Sequence, residues 1–295
     1  MVADITIQLN SDYPVSDNTF HPKFKQFEVP SPGIDKASIH HHFKPPCLTN
    51  DSKKNYTEIY KKSPFHIFKS ENTWIFYYTS LSSDDLVKNA IAIMNNDFTS
   101  THIYTVDLTR KKYSMGSFPA LTLLNTDQML FAKLLCDRHG VMIHSNGSVI
   151  NGKGVLLAGI SGSGKSTLSG MLKKHNHDIL CDDRMFVRKQ GGSFWIYGNW
   201  CYGSHPDASP GSAPLDAFVF LEKGSQNDIH EIKNKKYILP RLLQVLVKPL
   251  LDADGWQNYF STIENLMDTI PFYQIEFDLS GKIGDKINSF FGACA

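Results

Sequence analysis

At 295 residues, 41% hydrophobic and 20% charged, the chain can hold one large domain or two of ordinary size, each with a core. A formal charge of +1 gives no overall field for nucleic acid or an anionic membrane, so neither is expected as a partner. No apolar run approaches the ~20 residues of a membrane span, and the opening MVADITIQLNSDYP lacks a basic segment leading into an apolar one. The five cysteines (Cys47, Cys136, Cys181, Cys201, Cys294) are scattered, odd in number and without metal-type pair spacing, so a reduced, cytoplasmic setting is the expectation.

Residues 1 to about 125 read as strands between polar loops. ITIQL and STHIYTVDL alternate, while FHIFK and WIFYYTS are rich in aromatic and branched residues. VPSPGIDK and KPPCLTNDSKKN carry turn chemistry. Helical spacing occurs in SSDDLVKNAIAIMNND (82–97), with Ser83 or Asp84 as its cap. The run His40-His41-His42 beside Phe43 and Cys47 is read as a solvated loop, because no second ligand cluster is spaced to complete a metal site.

The pattern changes at LNTDQMLFAKLLCDRHG, where Thr126 is a candidate cap and Met129, Leu130, Ala132, Lys133, Leu134 and Leu135 supply a helical face, with Gly140 as its stop. VMIHSNGSVING then predicts two strands about a glycine turn, KGVLLAG an apolar strand, KSTLSGMLKKH a helix and HDILCDD a strand. Further strands are expected at SFWIYGN, LDAFVFLEK and YQIEFDL, and helices at LPRLLQVLVKPLLD, GWQNYFSTIENLMDT and the tail GKIGDKINSFFGACA. KNKKY (233–237) reads as the solvated edge of a turn. The expected organisation is a β-rich region over 1–125 followed by an α/β nucleotide-binding domain over 126–295.

The chemistry concentrates in Gly159-Ile160-Ser161-Gly162-Ser163-Gly164-Lys165-Ser166, which satisfies G-x-x-x-x-G-K-[ST] between an apolar strand and a helix. The glycines let successive backbone N–H groups turn toward phosphate oxygens, and the helix adds its positive end. Lys165 supplies a mobile cation for the β- and γ-phosphates, the Ser166 hydroxyl is placed to ligate Mg²⁺, and Thr167 completes the set of nucleotide contacts. ATP and Mg²⁺ are therefore the expected cofactors.

Asp182 and Asp183 follow only 16 residues after Ser166, at the end of the apolar run Ile179-Leu180-Cys181. That gap holds one helix and one turn, so the pair ends the very next strand, where ligands bind in open sheets. Adjacent strand residues point to opposite faces, so the two carboxylates divide the work: one for Mg²⁺, one to take a proton from an attacking hydroxyl. Neither an LSGGQ-like segment nor an Asn/Thr-Lys-x-Asp motif is present, which argues against transporter ATPases and GTPases.

The stretch HSNGSVINGKGVLLAGISGSGKSTLSGMLKKHNHDILCDD resembles the bacterial HPr serine kinase/phosphorylase family, which has a nucleotide fold of the phosphoenolpyruvate carboxykinase type. The spacing from a histidine through G-x-G, the phosphate loop and the aspartate pair is the family's, and the family's histidine falls on His144, 15 residues before Gly159, not on His139. The resemblance implies that Asp182 deprotonates the acceptor hydroxyl, that Asp183 supports metal or Lys165, and that His144 lines the reacting centre. It departs at Thr167, where the family has a glutamate that helps hold the cation, and in the later YGNWCYGSHPDASPGSAPLDAFVFLEKG, which resembles uncharacterised relatives instead.

Of the remaining features, YGNWCYGSHPD (197–207), with Trp200, Tyr202, His205 and Asp207, either covers the site or packs between domains. Arg184 is a phosphate contact or a surface ion pair; Arg241 reads more simply as a helix-surface charge. The resulting expectation is an ATP-dependent kinase acting on a hydroxyl of a protein, peptide or small molecule, with a regulatory ATP-binding module or an ATPase as alternatives. A homo-oligomer is a further possibility carried by the family resemblance.

Overall fold

This computed structural model describes residues 1–46, 56–160, 162–201, 208–250, 253–278 and 280–292, without the side chains of residues 253 and 254. Ser161, Cys47, Tyr202, His205, Asp207 and Cys294 therefore lie outside the described residues. The protein is mixed α/β with two sheets, and it divides into one unit holding Ala3–Leu134 and another holding Leu135–Ala295. Among the described residues no helix is long and apolar enough to cross a membrane.

The first unit is built on seven strands: β1 (Ile5–Ser11), β2 (Asp35–His42), β3 (Thr57–Lys62), β4 (Phe65–Lys69), β5 (Thr73–Thr79), β6 (Asn89–Asn95) and β7 (Ser100–Tyr104), ordered β1-β2-β7-β6-β5-β4-β3. β1, β2 and β7 run parallel to their neighbours in that group, whereas β7 through β3 form an antiparallel meander. Trp74 and Phe76 of β5 are buried and meet Phe98 edge-on, with ring centroids 5.9 and 5.8 Å apart. A short helix α1 (Arg110–Ser114) follows, and α2 (Gln128–Cys136) carries the chain across the division between units. Asp127 spends its carboxylate on the loop before it, accepting from the N–H groups of Leu121 and Thr122, while Thr126 accepts from Gln128 N.

Two expectations for this unit are corrected. Residues 82–97 do not form a helix, because Asn89-Ala90-Ile91-Ala92-Ile93-Met94-Asn95 alternates with period two, burying Ala90, Ala92 and Met94 as β6 between β5 and β7. The serines ahead of it close turns instead, Ser80 and Ser82 accepting from the backbone N–H of Ser82 and Asp84. The His40–His42 run is likewise strand, not loop. In β2 His41 turns inward, donating Nε2–H to Leu121 O at 2.8 Å and accepting from the Tyr113 hydroxyl at 2.9 Å. Burial pushes its pKa down to about 4. His40 and His42 turn to the other face, where β7 brings His102 into register with His40.

The second unit contains β8 (Gly140–Ile150), β9 (Lys153–Ala158), α3 (Lys165–Lys174), β10 (Asp178–Cys181), β11 (Arg184–Gln190), β12 (Ser193–Tyr197), β13 (Ser212–Lys223), β14 (Asp228–Ile232), α4 (Lys235–Val245), α5 (Ala253–Thr269), β15 (Phe272–Phe277) and α6 (Lys282–Gly292). Its sheet is ordered β10-β8-β11-β12-β13-β15-β14, with β9 paired to both β8 and β13. β9 and β15 run parallel to β13, so Ala158, Lys223 and Phe277 finish at one edge. One apolar cluster packs β8, β13, α4 and α5; the other packs β9, α3 and α6 on the opposite side, from Leu157 and Leu168 to Ile283 and Phe291.

Three local readings change here. VMIHSNGSVING is one continuous strand, not a pair: a Cβ on Gly147 would sit 2.4 Å from Met185, so this glycine admits a neighbour instead of turning the chain. The turn comes later, at Asn151-Gly152, with φ of +50° and +80°. KNKKY opens α4, since the Asn234 side chain caps it by accepting from Lys236 N at 3.0 Å. That helix ends at Val245; Leu246 bridges to Ile143, and Val247 N donates to Met142 O, drawing the segment before Pro249 onto β8.

Candidate functional site

β9 delivers the glycine-rich loop to the sheet edge, since Gly154 through Ala158 are all buried and fix where the strand ends. Gly162 and Gly164 adopt φ of +80° and +98°. At Gly164 a Cβ would also meet the Phe277 ring at 2.6 Å, so only glycine makes the turn into α3. Among the described residues the helix has no side-chain cap, and its first-turn N–H groups and positive dipole end lie toward the loop.

A buried polar chain seats this helix on the sheet. Asn146 Nδ2 donates to Ser169 Oγ at 2.7 Å, Ser148 Oγ donates to Asn146 Oδ1 at 2.7 Å, and Ser169 Oγ donates to Lys165 O at 2.9 Å. All three side chains are buried, so each bond is costly to lose. This support was missed from the sequence, although the polar run Ser145, Asn146 and Ser148 inside an otherwise buried strand was its signal.

Lys165 is buried, with Nζ donating to Gly159 O at 2.7 Å and Ile160 O at 3.4 Å. Burial pushes its pKa below the usual lysine range, against the pull of Asp183 and Asp182. The Ser163 hydroxyl is buried without a hydrogen-bond partner among the described residues, a polar atom suited to a ligand oxygen. Ser166 is half-buried in the first turn, and Thr167 is exposed.

β10 and β11 lie along the same side of β8, and Asp182-Asp183 is the break between them. Cys181 pairs with Gly147 and Arg184 with His144, so the flanking register is kept across the break. This places Asp183 beside His144, with Nε2 to Oδ1 at 3.2 Å, and the Arg184 guanidinium bonds the same carboxylate. Burial alone would raise Asp183, but the bond from His144, then the charges of Arg184, His144 and Lys165, hold it below the usual carboxylate range. Asp182 is buried at 3% exposure, whereas the Asp183 side chain retains 18%. His144, Lys165, Asp182 and Asp183 thus gather on the β8 side of the loop. His139 lies outside this group, at φ +53° ahead of β8, its carbonyl accepting from Lys189 N.

On the β13 side of the loop is a cleft of about 530 Å³, lined by Gly159, Ile160, Gly162, Ser163, Glu222 and Arg241 among others. Arg241 is more than a helix-surface charge: it pairs with Glu222, donates to Gln274 Oε1 at 3.1 Å and lies 4.0 Å over the Tyr237 ring. In the segment after β12, Trp200 is buried and Asn199 Nδ2 donates to Arg184 O at 2.5 Å, tying its start to the aspartate strand.

The model of the SynChlorMet cassette protein ScmC family matches residues 120–292, more than half of the chain. Among solved structures, the chain is similar to the HPr(Ser) kinase/phosphatase from Coxiella burnetii at 13% identity, over 52% of this chain and 88% of that one, with a TM-score of 0.31. A likeness that distant says nothing about activity. No curated protein matches.

Proposed function

The chain belongs to the ScmC family, and from that premise we propose that its second unit is a phosphate-loop kinase domain of the HPr-kinase type, transferring the γ-phosphoryl group of ATP to a hydroxyl. The observation that carries the reading is the gathering of His144, Lys165, Asp182 and Asp183 beside a complete phosphate-loop motif. The residues suit ATP and Mg²⁺: Ser163 offers a buried unpartnered hydroxyl, Lys165 a cation, and Ser166 with Asp183 an oxygen pair for the metal. Mg²⁺, when bound, neutralises charge on the transferring phosphoryl group.

In this reading the N–H groups of Gly162–Ser166 and Lys165 hold the phosphates. Asp183, kept ionised by His144 and Arg184, faces the metal, while Asp182 takes the proton of the acceptor hydroxyl. His144 holds Asp183 in place and lines the reacting centre. Catalysis is then positioning and charge stabilisation. The acceptor is a hydroxyl of a protein, peptide or small molecule, and the setting is cytoplasmic. A second reading, ATP binding without transfer, is favoured by the exposed Thr167, which adds no carboxylate to the metal site.

Incubation with γ-labelled ATP, Mg²⁺ and lysate or hydroxyl compounds separates these. Labelled acceptor that disappears in Asp182→Asn supports the kinase. Tight ATP binding without turnover, unchanged by that substitution, supports the regulatory module, and phosphate release without labelled acceptor supports an ATPase.

A further inference from the structure

The outward face of the first unit carries a second group of chemistry-bearing side chains. His40, His42 and His102 each offer a ring nitrogen, and the three nitrogens lie within 4.8 Å of one another. Among the described residues this is the one trio of His, Cys, Asp or Glu gathered so closely. Strand pairing builds it: β2 presents His40 and His42 on one face, and β7, parallel to it, sets His102 opposite His40. β1 ends just before Asp12, whose N–H donates to His41 O, which brings the Asp12 carboxylate alongside.

The bonding within the group assigns nitrogens. Asp12 Oδ2 lies 3.2 Å from His42 Nδ1, and Asp12 Oδ1 lies 3.0 Å from His40 Nε2. A carboxylate only accepts, so His42 carries its proton on Nδ1 and His40 on Nε2, leaving lone pairs on His42 Nε2 and His40 Nδ1. His42 Nε2 accepts from His102 Nδ1–H at 3.0 Å; with the His102 proton moved to its own Nε2, the two nitrogens stand close to the ~3.3 Å separation of a pair bound to one tetrahedral zinc ion at ~2.0 Å each. The His42 ring is further held between His40, at 4.0 Å, and Tyr104, at 4.6 Å, both nearly parallel to it. Side-chain exposures of 34% for His40 and 13% for His42 leave the group reachable from solvent yet anchored on strands.

We propose that His40, His42 and His102 are the protein ligands of a divalent transition-metal site of the zinc class, with Asp12 as the carboxylate that orients its imidazoles. Three imidazole nitrogens select zinc-like ions over Mg²⁺ or Ca²⁺, which take oxygen ligands. Three protein ligands leave a fourth, tetrahedral position for solvent or a small anion. Asp12 is a positioning residue: it fixes the tautomer and ring direction of His42 and raises its basicity. The site belongs to the first unit and does not depend on the kinase reading of the second.

The test uses full-length, tag-free protein, stripped of metal and titrated with Co²⁺, then with Zn²⁺ in competition. The expected result is one ion per chain with the visible absorption bands of tetrahedral cobalt, displaced by Zn²⁺. His42→Ala and His102→Ala should each abolish this saturable phase. Asp12→Asn should weaken it about 10–100-fold, and His175→Ala, in the second unit, should leave it intact. Absence of one-to-one binding by the unmodified protein overturns the proposal, whether or not the variants fold. So does binding that survives both histidine substitutions in variants with an unchanged circular dichroism spectrum.

Discussion

The two units assemble their polar groups by opposite routes. In the second, His144, the loop, Lys165 and the aspartate pair fall within 40 consecutive residues, brought together by a hairpin, one helix and the next strand. In the first, Asp12, the His40/His42 pair and His102 are far apart in the chain, and parallel pairing of β1, β2 and β7 gathers them. Hairpins unite sequence neighbours, whereas parallel strands unite residues separated by whole elements. A contiguous motif therefore announces the first kind of site, and the second stays silent until the sheet order is known.

Substitutions should separate the two units. The largest effect is expected from Asp182→Asn, which should lower phosphoryl transfer about 10²–10⁴-fold in assays with labelled ATP, while leaving cobalt binding by the first unit unchanged. A comparable loss of metal binding would tie the two sites together.

The next effect belongs to the first unit and to pH. His41 has a folded pKa of about 4, below its ordinary 6.5, so between these values the unfolded chain binds the extra proton. Stability of this unit should therefore fall as pH drops through that window, by on the order of 1 kcal/mol per pH unit. Protection factors at the amides of β2 and β7, with the intrinsic exchange rate at each pH divided out, should fall as pH drops over this range; protection that stays constant would contradict the buried neutral imidazole.

Asn146→Ala should cost about 1–3 kcal/mol by leaving the polar chain under α3 incomplete, read by denaturant unfolding of the second unit, and should weaken ATP binding without touching cobalt affinity. The smallest effect is a gain. Gly170 lies inside α3, exposed, where an added Cβ meets nothing within 4 Å. Gly170→Ala should stabilise the second unit by about 0.5–1 kcal/mol and leave transfer unaltered.

The same contrast explains what was legible. Periodicity located β5, β9, α3, α5 and β15, because each is long or strongly patterned. It misjudged 82–97, where serines and aspartates that look like a helix cap close turns ahead of the alternating β6. It also divided β8 at Gly147, since a glycine that admits Met185 looks like one that turns the chain. For the candidate site, loop and spacing were readable from residue order alone. That His144 meets Asp183, that Asn146 and Ser169 seat the helix, and that Arg241 faces the cleft all depend on register and packing across elements.

Phosphoryl transfer by this domain requires the loop, Lys165, His144 and the aspartate pair to act together on the terminal phosphate of ATP. A crystal structure of the full chain with Mg²⁺ and a non-hydrolysable ATP analogue tests it most directly. The expected complex has the γ-phosphate against Lys165 and the loop N–H groups, Mg²⁺ on Ser166 and Asp183, and His144 and Asp182 facing the same phosphate. A nucleotide bound away from the loop, or one whose γ-phosphate turns from His144 and Asp182, would contradict it.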